Sequence, residues 1–332
     1  MIKIDMSQLQ KNEIIELHKR YSEAVIFPKL CQRSNKRFEK ETNKVLYDAF
    51  IDQIWGGTDQ KKKIVNYCIS ENLADLIDEF EEQFEKLFKF SFKSPADDKE
   101  KKIVKDVRRI LDNIFDYDGF NKGATVNYDG KCFLWNRHLY VVKTGVKVCP
   151  YCNREYITSY VDDEHEKTTA DVDHYYLKSL YPYLQMNINN MIPSCNICNS
   201  KMKGRKDIRH LNPYVDSTNS MLFKIPFYNV DNLYSGDVEE IFIDDKMNSR
   251  AKASIEIFKL DKIYQTHTDE AEKVFWEVRN YKAFGNETLF YKEAMGLEIK
   301  DFPKWFRFLE DDPLNIPLTK MKQDIYRQLM EE

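Results

Sequence analysis

Apolar side chains in the first 120 residues recur every three or four positions, the spacing that places them on one face of an amphipathic helix. The most regular run covers residues 72–90, and a second run covers residues 103–115. Between them the sequence SPADD, at residues 94–98, interrupts the repeat. The pattern predicts two long helices with their acidic faces in solvent, within an N-terminal region that is mostly helical.

The pattern changes twice after this region. Residues 116–130 are polar, contain three glycines and predict a connecting segment. Beyond residue 216, short apolar runs bounded by turn residues predict strands at residues 222–228, 239–243 and 254–259. From residue 261 onward helical spacing returns, and it predicts helices at residues 267–281, at 286–294 and after Pro317.

The composition is that of a folded globular protein, with 42% hydrophobic and 32% charged residues in a chain of 332. No run reaches the roughly 18 apolar residues that a membrane-spanning helix needs, and the first residues contain no apolar signal-peptide core. We therefore expect a cytoplasmic protein that does not enter a membrane. The net charge of −4 does not indicate a nucleic-acid-binding protein, so local charge must be considered.

Four of the seven cysteines form two pairs with C-x2-C spacing, Cys149 with Cys152 and Cys195 with Cys198. Such a turn directs two sulfur atoms at one point, so two turns together make a tetrahedral four-thiolate site. Zn²⁺ accepts this geometry, and thiols in the cytoplasm stay reduced. The spacing predicts a structural zinc ion, because four thiolates leave no place for a reacting water. The alternative is two sets of buried free cysteines.

The residues between and around these pairs include groups suited to phosphodiester hydrolysis, in the sequences TADVDHYYLKS (169–179) and NMIPSCNICNSKMKGRK (190–206). That reaction needs a deprotonated water and positive charge on the scissile phosphate. His174 is a candidate base, since a neutral imidazole titrates near neutral pH. Asp173 and Asn199 offer the hard oxygen ligands that Mg²⁺ or Mn²⁺ prefers. Asp171 is either a carboxylate behind these ligands or an ordinary strand residue.

An Asp-His pair at a strand end, followed by Asn-x-x-Pro-x-Cys-x-x-Cys-Asn and basic residues, resembles the zinc-stapled branch of the HNH (ββα-metal) endonucleases. The similarity covers about residues 149–205. It implies that His174 is the general base and that Asp173 and Asn199 hold the catalytic Mg²⁺ or Mn²⁺. It also implies that Asn190 braces the loop carrying the base. A common family pattern has proline three residues after the base, where this chain has Leu177.

Local charge is mildly positive around this motif. Residues 131–210 contain 12 Lys and Arg against 8 Asp and Glu, although the whole chain is acidic. The densest basic run follows Asn199 directly, and it is either a phosphate-binding segment or a solvated loop. We predict that it contacts a nucleic-acid backbone without reading sequence. The predicted nucleic-acid-binding residues are Lys178, Lys201, Lys203, Arg205 and Lys206.

Together these patterns predict an α+β protein, a mostly helical chain with a central zinc-bound ββα-metal (HNH) module and a few short strands. We expect a helical domain at residues 1–130, the HNH module at 131–216, and an extension of short strands and helices at 217–332. The predicted function is metal-dependent cleavage of DNA. The alternative is a non-catalytic zinc module that binds nucleic acid or protein within a larger complex; it would need the cysteines but not Asp173, His174 or Asn199.

The order of elements after the motif resembles, more loosely, the PtuB-like nuclease subunits of Septu-type and retron-associated bacterial defence systems. In those systems the nuclease works beside an ATPase of the SMC/ABC-like kind. The resemblance implies a role in anti-phage defence and such an ATPase as partner. The first 120 residues carry no such resemblance, and they would dock the partner, gate the active site or only support it.

Overall fold

The computed structural model describes residues 1–32, 44–162, 165–226, 236–295 and 306–331. Over these ranges the chain is rich in helix and has short antiparallel strand pairs, which fits the predicted α+β class. The helices are α1 (Gln8–Tyr21), α2 (Phe27–Cys31), α3 (Lys44–Trp55), α4 (Gln60–Ile69), α5 (Leu73–Phe88), α6 (Asp98–Ile114), α7 (Tyr117–Lys122), α8 (Arg137–Thr144), α9 (Ser249–Phe258), α10 (Leu260–Ile263), α11 (Thr268–Met295) and α12 (Thr319–Glu331). Two π-helical segments lie at Ser22–Ile26 and Ile197–Lys203.

The strands of the described ranges form four separate antiparallel pairs. They are β1 (Ala124–Tyr128) with β2 (Lys131–Trp135), β3 (Ser159–Asp162) with β4 (His165–Thr168), β5 (Asp171–His174) with β6 (Met191–Ser194), and β7 (Leu222–Lys224) with β8 (Phe242–Asp244). A long loop joins β5 to β6, and the π-helical segment Ile197–Lys203 follows β6. This strand–strand–helix order carries the candidate site.

The two regular apolar runs of the N-terminal region form helices, as predicted. The run at residues 72–90 is α5, which ends where Lys89 adopts a left-handed conformation. The run at residues 103–115 is the C-terminal part of α6. That helix begins at Asp98, because the carboxylate of Asp97 accepts the Glu100 N–H and caps it. The interruption at residues 94–98 therefore contains the start signal of the next helix.

Two local predictions are wrong. Residues 116–130, expected to be a connection, include α7 and β1; Asp116 caps α7 by accepting the Gly119 N–H. Residues 254–259, expected to be a strand, lie mostly in α9, whose cap Asn248 accepts the N–H groups of Arg250 and Ala251. In both places a side-chain cap starts the helix, and the spacing of apolar residues does not reveal a cap.

The remaining predictions for the C-terminal part hold in outline. Strand β7 covers the start of the run at residues 222–228, of which residues 227 and 228 lie outside the described ranges. Strand β8 overlaps the run at residues 239–243 but is shifted towards the C-terminus. The helices expected at residues 267–281 and 286–294 are one helix, α11, and the helix after Pro317 is α12.

Buried hydrophobic residues form one cluster that extends from the N-terminal helices to α12. The β1–β2 hairpin spans residue 130, where the sequence predicted a domain boundary. The boundaries at residues 130 and 216 remain predictions. Among the described helices, none is both long and apolar enough to cross a membrane.

Candidate metal centre and catalytic groove

The four paired cysteines converge, as their spacing predicted. The sulfur atoms of Cys149, Cys152, Cys195 and Cys198 all lie within 4.8 Å of one another, and all four residues are buried. Backbone hydrogen bonds shape the first turn, where the Asn153 N–H donates to the Cys149 carbonyl at 2.8 Å. The cluster can hold a metal ion such as zinc, because four convergent sulfur ligands match its tetrahedral preference.

Protonation of the buried thiols competes with metal binding at this cluster. Burial raises the pKa of the Cys149 thiol, so without an ion this group stays protonated among three other sulfur atoms. A divalent cation reverses that preference, because it stabilises the thiolates it binds. The remaining cysteines are elsewhere: Cys31 and Cys132 are exposed, and Cys68 is buried apart from the cluster.

His174 ends β5 and lines a groove with a volume of about 930 Å³. Its Nε2 lies 2.9 Å from the carbonyl oxygen of Gln185, so Nε2 carries the proton and Nδ1 keeps its lone pair. Tyr117 packs edge to face against the imidazole, with ring centroids 4.6 Å apart. Burial disfavours the imidazolium and lowers the pKa of His174 to about 4, so the ring is neutral at pH 7.

Asn190 is fully buried at the end of the loop between β5 and β6. Its Oδ1 accepts the Tyr176 N–H at 2.7 Å, and its Nδ2 donates to the carbonyls of Tyr176 and Leu184, both at 3.1 Å. One amide therefore ties together two parts of the loop that begins directly after His174. The bracing role that the family resemblance implies for Asn190 stays a prediction, and these three hydrogen bonds are the contacts on which it would depend.

Helices α4 and α6 hold the same loop from the other side. Asn187 Nδ2 donates to the Tyr67 carbonyl at 2.9 Å, and Gln185 Nε2 donates to the Asp112 carboxylate at 3.0 Å. Gln185 is also the residue whose carbonyl oxygen accepts the hydrogen bond from His174. The N-terminal helices therefore position the residue that orients the imidazole. No local sequence pattern reveals this relation, because more than 70 residues separate the partners.

Asp173 and Lys203 form an ion pair inside the protein, with side chains 3% and 1% exposed. Lys203 Nζ donates to the two carboxylate oxygens of Asp173, at 2.8 and 2.7 Å, and to the carbonyl of His174. The Tyr151 hydroxyl donates to the same carboxylate at 2.6 Å. Asp173 in this position does not fit a divalent ion, because the buried ammonium of Lys203 already compensates the charge of the carboxylate and bonds both of its oxygens.

The burial of Lys203 also corrects a prediction. The sequence placed Lys203 among the residues that contact nucleic acid, but its ammonium is enclosed and bound to Asp173. Removing the ammonium from that pair would leave the Asp173 carboxylate inside the protein without a counter-charge, at a cost of about 3–5 kcal/mol. Lys203, at the end of the π-helical segment, is therefore a structural residue that holds the end of β5 in place.

Asn199, the other predicted ligand of the catalytic ion, lies beside Asp171. Its Nδ2 donates to Asp171 Oδ2 at 3.2 Å, and Asn196 Nδ2 donates to the same oxygen at 2.9 Å. Asp171 and Asn199 are half-buried, and all three residues line the groove next to His174. The hydrogen-bonded partner of Asn199 is thus Asp171, two residues before the predicted ligand.

Cationic side chains reach the groove from separate segments of the chain. Arg137, on α8, lies in its wall and donates to the Ala170 carbonyl at 3.0 Å. Lys178 is half exposed, and its ammonium is 3.7 Å from the carboxylate of Asp118. Arg205 follows the π-helical segment and is exposed. These positions suit contacts with a phosphate backbone.

Lys201 and Lys206, the other two predicted nucleic-acid-binding residues, are exposed but do not line the groove. Sequence reasoning missed Tyr117, Arg137 and His138, which also line the groove. They come from α7 and α8, which precede the motif at residues 149–205. Neither a spacing nor a composition signal connects them with it.

No protein-family model matches the chain, and neither the curated proteins nor the solved structures compared with it give a match. The resemblance to HNH endonucleases therefore rests on the motif residues alone.

Proposed function

We propose that this protein is a metal-dependent endonuclease of the HNH type that hydrolyses phosphodiester bonds in DNA. The observation that carries the proposal is the state of His174. Its imidazole is neutral, its Nε2 is held by the Gln185 carbonyl, and its ring lines an open groove. A volume of about 930 Å³ is at the upper end of ordinary ligand sites, which suits a segment of a polymer.

The geometry of His174 defines its part in the reaction. With the proton on Nε2, the lone pair of Nδ1 accepts a proton from water. The hydroxide attacks phosphorus, the bond from phosphorus to the leaving oxygen breaks, and that oxygen takes a proton from solvent. A bound phosphodiester is negatively charged and favours the imidazolium. Bound substrate therefore raises the pKa of His174 from about 4 in the direction of pH 7.

A divalent Mg²⁺ or Mn²⁺ ion would supply positive charge to the scissile phosphate and the leaving oxygen. Both predicted ligands, Asp173 and Asn199, line the groove, but the carboxylate of Asp173 is bonded to the buried ammonium of Lys203. The proton transfer described above depends on His174 alone. For the four-cysteine cluster we propose Zn²⁺ in a structural role, since it links the turn at Cys149 to the segment that carries Asn199.

The substrate side of the proposal rests on the cations around the groove. Arg137, Lys178 and Arg205 come from separate segments of the chain and offer positive charge along the groove lining, where they would contact phosphates. The expected binding is therefore independent of sequence and weakens with salt. The role in anti-phage defence and the SMC/ABC-like ATPase partner belong to the proposal through the looser resemblance in the order of elements after the motif.

The test is cleavage of supercoiled plasmid by the purified protein with Mg²⁺, Mn²⁺ or EDTA. His174→Ala is compared with His165→Ala, which removes an exposed histidine from β4. We expect metal-dependent cleavage that is abolished by His174→Ala and unchanged by His165→Ala. Zinc content and circular dichroism show whether both variants fold.

Two other outcomes are informative. Cleavage that appears only with an RNA substrate or with the ATPase partner would keep the catalytic assignment and change the substrate or its control. No cleavage in any of these conditions would favour the non-catalytic zinc module, which needs the four cysteines but not His174.

A further inference from the structure

We propose that Asp171, and not Asp173, supplies the carboxylate that binds a divalent cation in the groove, together with the amide oxygen of Asn199. The choice of Mg²⁺ or Mn²⁺ as the cation rests on the proposed nuclease function. The assignment of the ligand rests on how β5 and the π-helical segment face each other. Asp171 is then the ligand of the cation, and Asp173 is the partner of Lys203 in a structural ion pair.

Two pairs of side chains meet between β5 and the π-helical segment, Asp171 with Asn199 and Asp173 with Lys203. Asp171 and Asp173 lie on the same face of β5, since side chains of alternate strand residues point the same way, roughly 6.6 Å apart. Asn199 and Lys203 are about one turn apart on the segment Ile197–Lys203. The first carboxylate therefore meets Asn199 at 3.2 Å, and the second meets Lys203 at 2.7 Å.

The second pair excludes a cation. Asp173 accepts three hydrogen bonds from two donor groups, the Lys203 ammonium and the Tyr151 hydroxyl, and its side chain is 3% exposed. A divalent ion at this carboxylate would stand beside the buried ammonium of Lys203, and two like charges at that distance repel strongly where water is excluded. The pair instead anchors the end of β5, because Lys203 also donates to the carbonyl of His174.

The first pair accepts a cation without breaking an ion pair. Among the described residues, the donors on Asp171 are the neutral amides of Asn196 and Asn199. A half-turn of the Asn199 amide replaces its NH₂ group by its oxygen, so that both oxygens face one ion. Asp171 is half-buried on the groove wall, and two protein ligands leave coordination places for water and phosphate oxygens.

The experiment is Mn²⁺ binding to the zinc-loaded full chain, followed by the loss of the electron paramagnetic resonance signal of free Mn²⁺. Three variants are compared: Asp171→Asn, Asp173→Asn and Asp118→Asn, the last being an exposed carboxylate that controls for net charge. We expect Asp171→Asn to weaken Mn²⁺ binding by about tenfold or more, with unchanged zinc content and thermal midpoint. Asp118→Asn should bind as the wild type does.

For Asp173→Asn we expect nearly normal Mn²⁺ affinity but a lower thermal midpoint, because Lys203 loses its counter-charge. If that variant does not fold, Asp173→Asn combined with Lys203→Met removes both charges and restores a testable protein. Equal binding by the wild type and Asp171→Asn, including no binding by either, overturns the assignment. So does loss of binding in the folded Asp173 variants.

The outcomes separate this inference from the proposed function. If the wild type cleaves plasmid and Asp171→Asn binds Mn²⁺ as tightly as the wild type does, the nuclease assignment remains and the ligand assignment is wrong. Mn²⁺ binding that depends on Asp171, without cleavage of DNA or RNA either by the protein alone or with the ATPase partner, would leave the cation site standing and remove the nuclease.

Discussion

Lys201 and Lys203 lie two positions apart in the same helical segment, yet their side chains have different environments. Lys201 is exposed, whereas the ammonium of Lys203 is enclosed and bonded to Asp173 and to the carbonyl of His174. At the scale of single residues, burial therefore decides whether a charge is available to a ligand or fixed in the structure.

Replacing Lys203 tests this difference. Lys203→Met should lower the free energy of unfolding by about 3–5 kcal/mol, because it leaves the Asp173 carboxylate buried without a counter-charge. Lys201→Met removes the same group from an exposed position and should change stability by less than about 0.5 kcal/mol. Urea unfolding of both variants provides the comparison. Similar stability of the two would contradict the buried ion pair.

His18 predicts a pH dependence of stability that is independent of the metal sites. Its Nε2 bonds the Met186 carbonyl at 2.7 Å, its Nδ1 accepts from Trp135 at 3.1 Å, and the rings of Tyr21 and Phe120 pack around it. Burial lowers the pKa of His18 from 6.5 to about 4. Between these values the unfolded chain binds a proton that the folded chain does not, so stability falls as the pH falls.

Urea unfolding at pH 7.5 and pH 5 measures this contribution. The wild type should lose about 2 kcal/mol more than His18→Gln over this interval, since the variant lacks the titrating group while all other groups are shared. Packing changes in the variant affect both pH values alike and cancel in the difference. An equal loss in both proteins would show that His18 is not held neutral.

At the scale of elements, the loop between β5 and β6 is the part that fixes the candidate base. Asn190 closes it internally, and the contacts of Asn187 with Tyr67 and of Gln185 with Asp112 attach it to the N-terminal helices. The only regular structure in this long loop, all of which is described, is two short 3-10 turns, at Pro182–Leu184 and Ile188–Asn190, so without these contacts it would sample many conformations. These amide contacts replace the hydrogen-bond ladder that a longer pair of strands would provide.

Asn190→Ala should therefore damage the site more than the fold. We expect cleavage to fall by about a hundredfold, because a small displacement of a reacting group costs about that much. Limited proteolysis should cut the variant faster within residues 175–190. The control is Asn66→Ala, on an exposed position of α4, which should change neither measurement. Normal cleavage by Asn190→Ala would exclude the bracing role.

At the scale of the whole molecule, the first cysteine turn is a meeting point of distant segments. The Ile2 N–H donates to the Pro150 carbonyl at 2.8 Å, and the Leu318 N–H donates to the Asn153 carbonyl at 2.7 Å. The Tyr264 hydroxyl donates to the carbonyl of the ligand Cys152 at 2.6 Å. A metal ion bound by the four thiols would therefore stabilise contacts with both the start and the end of the described chain.

Cys195→Ser tests this dependence. A structural zinc site contributes about 10–16 kcal/mol in small domains, which is as large as the whole stability of an ordinary protein. The variant should therefore lose zinc, measured by elemental analysis, together with its cooperative unfolding transition. Cys132→Ser removes an exposed thiol outside the cluster and should retain both. A stable Cys195→Ser protein with little zinc would remove the structural role of the metal.

The sequence by itself determined features that depend on neighbours along the chain. The spacing of Leu73, Phe80 and Phe84 predicted α5, because one face of a helix repeats every three to four residues. The two C-x2-C pairs predicted the four-cysteine cluster, because each short turn already directs two sulfur atoms to one point. The motif around His174 likewise indicated which segment would carry the candidate base.

Only the tertiary structure decided the features that depend on contacts between distant residues. It gave the groove a wall from α7 and α8, attached Gln185 to Asp112, and buried Lys203 against Asp173. Along the chain Asp171 and Asp173 are equivalent carboxylates two positions apart. They differ because one of them faces an amide and the other a lysine across the strand–helix contact, and local sequence rules do not specify that register.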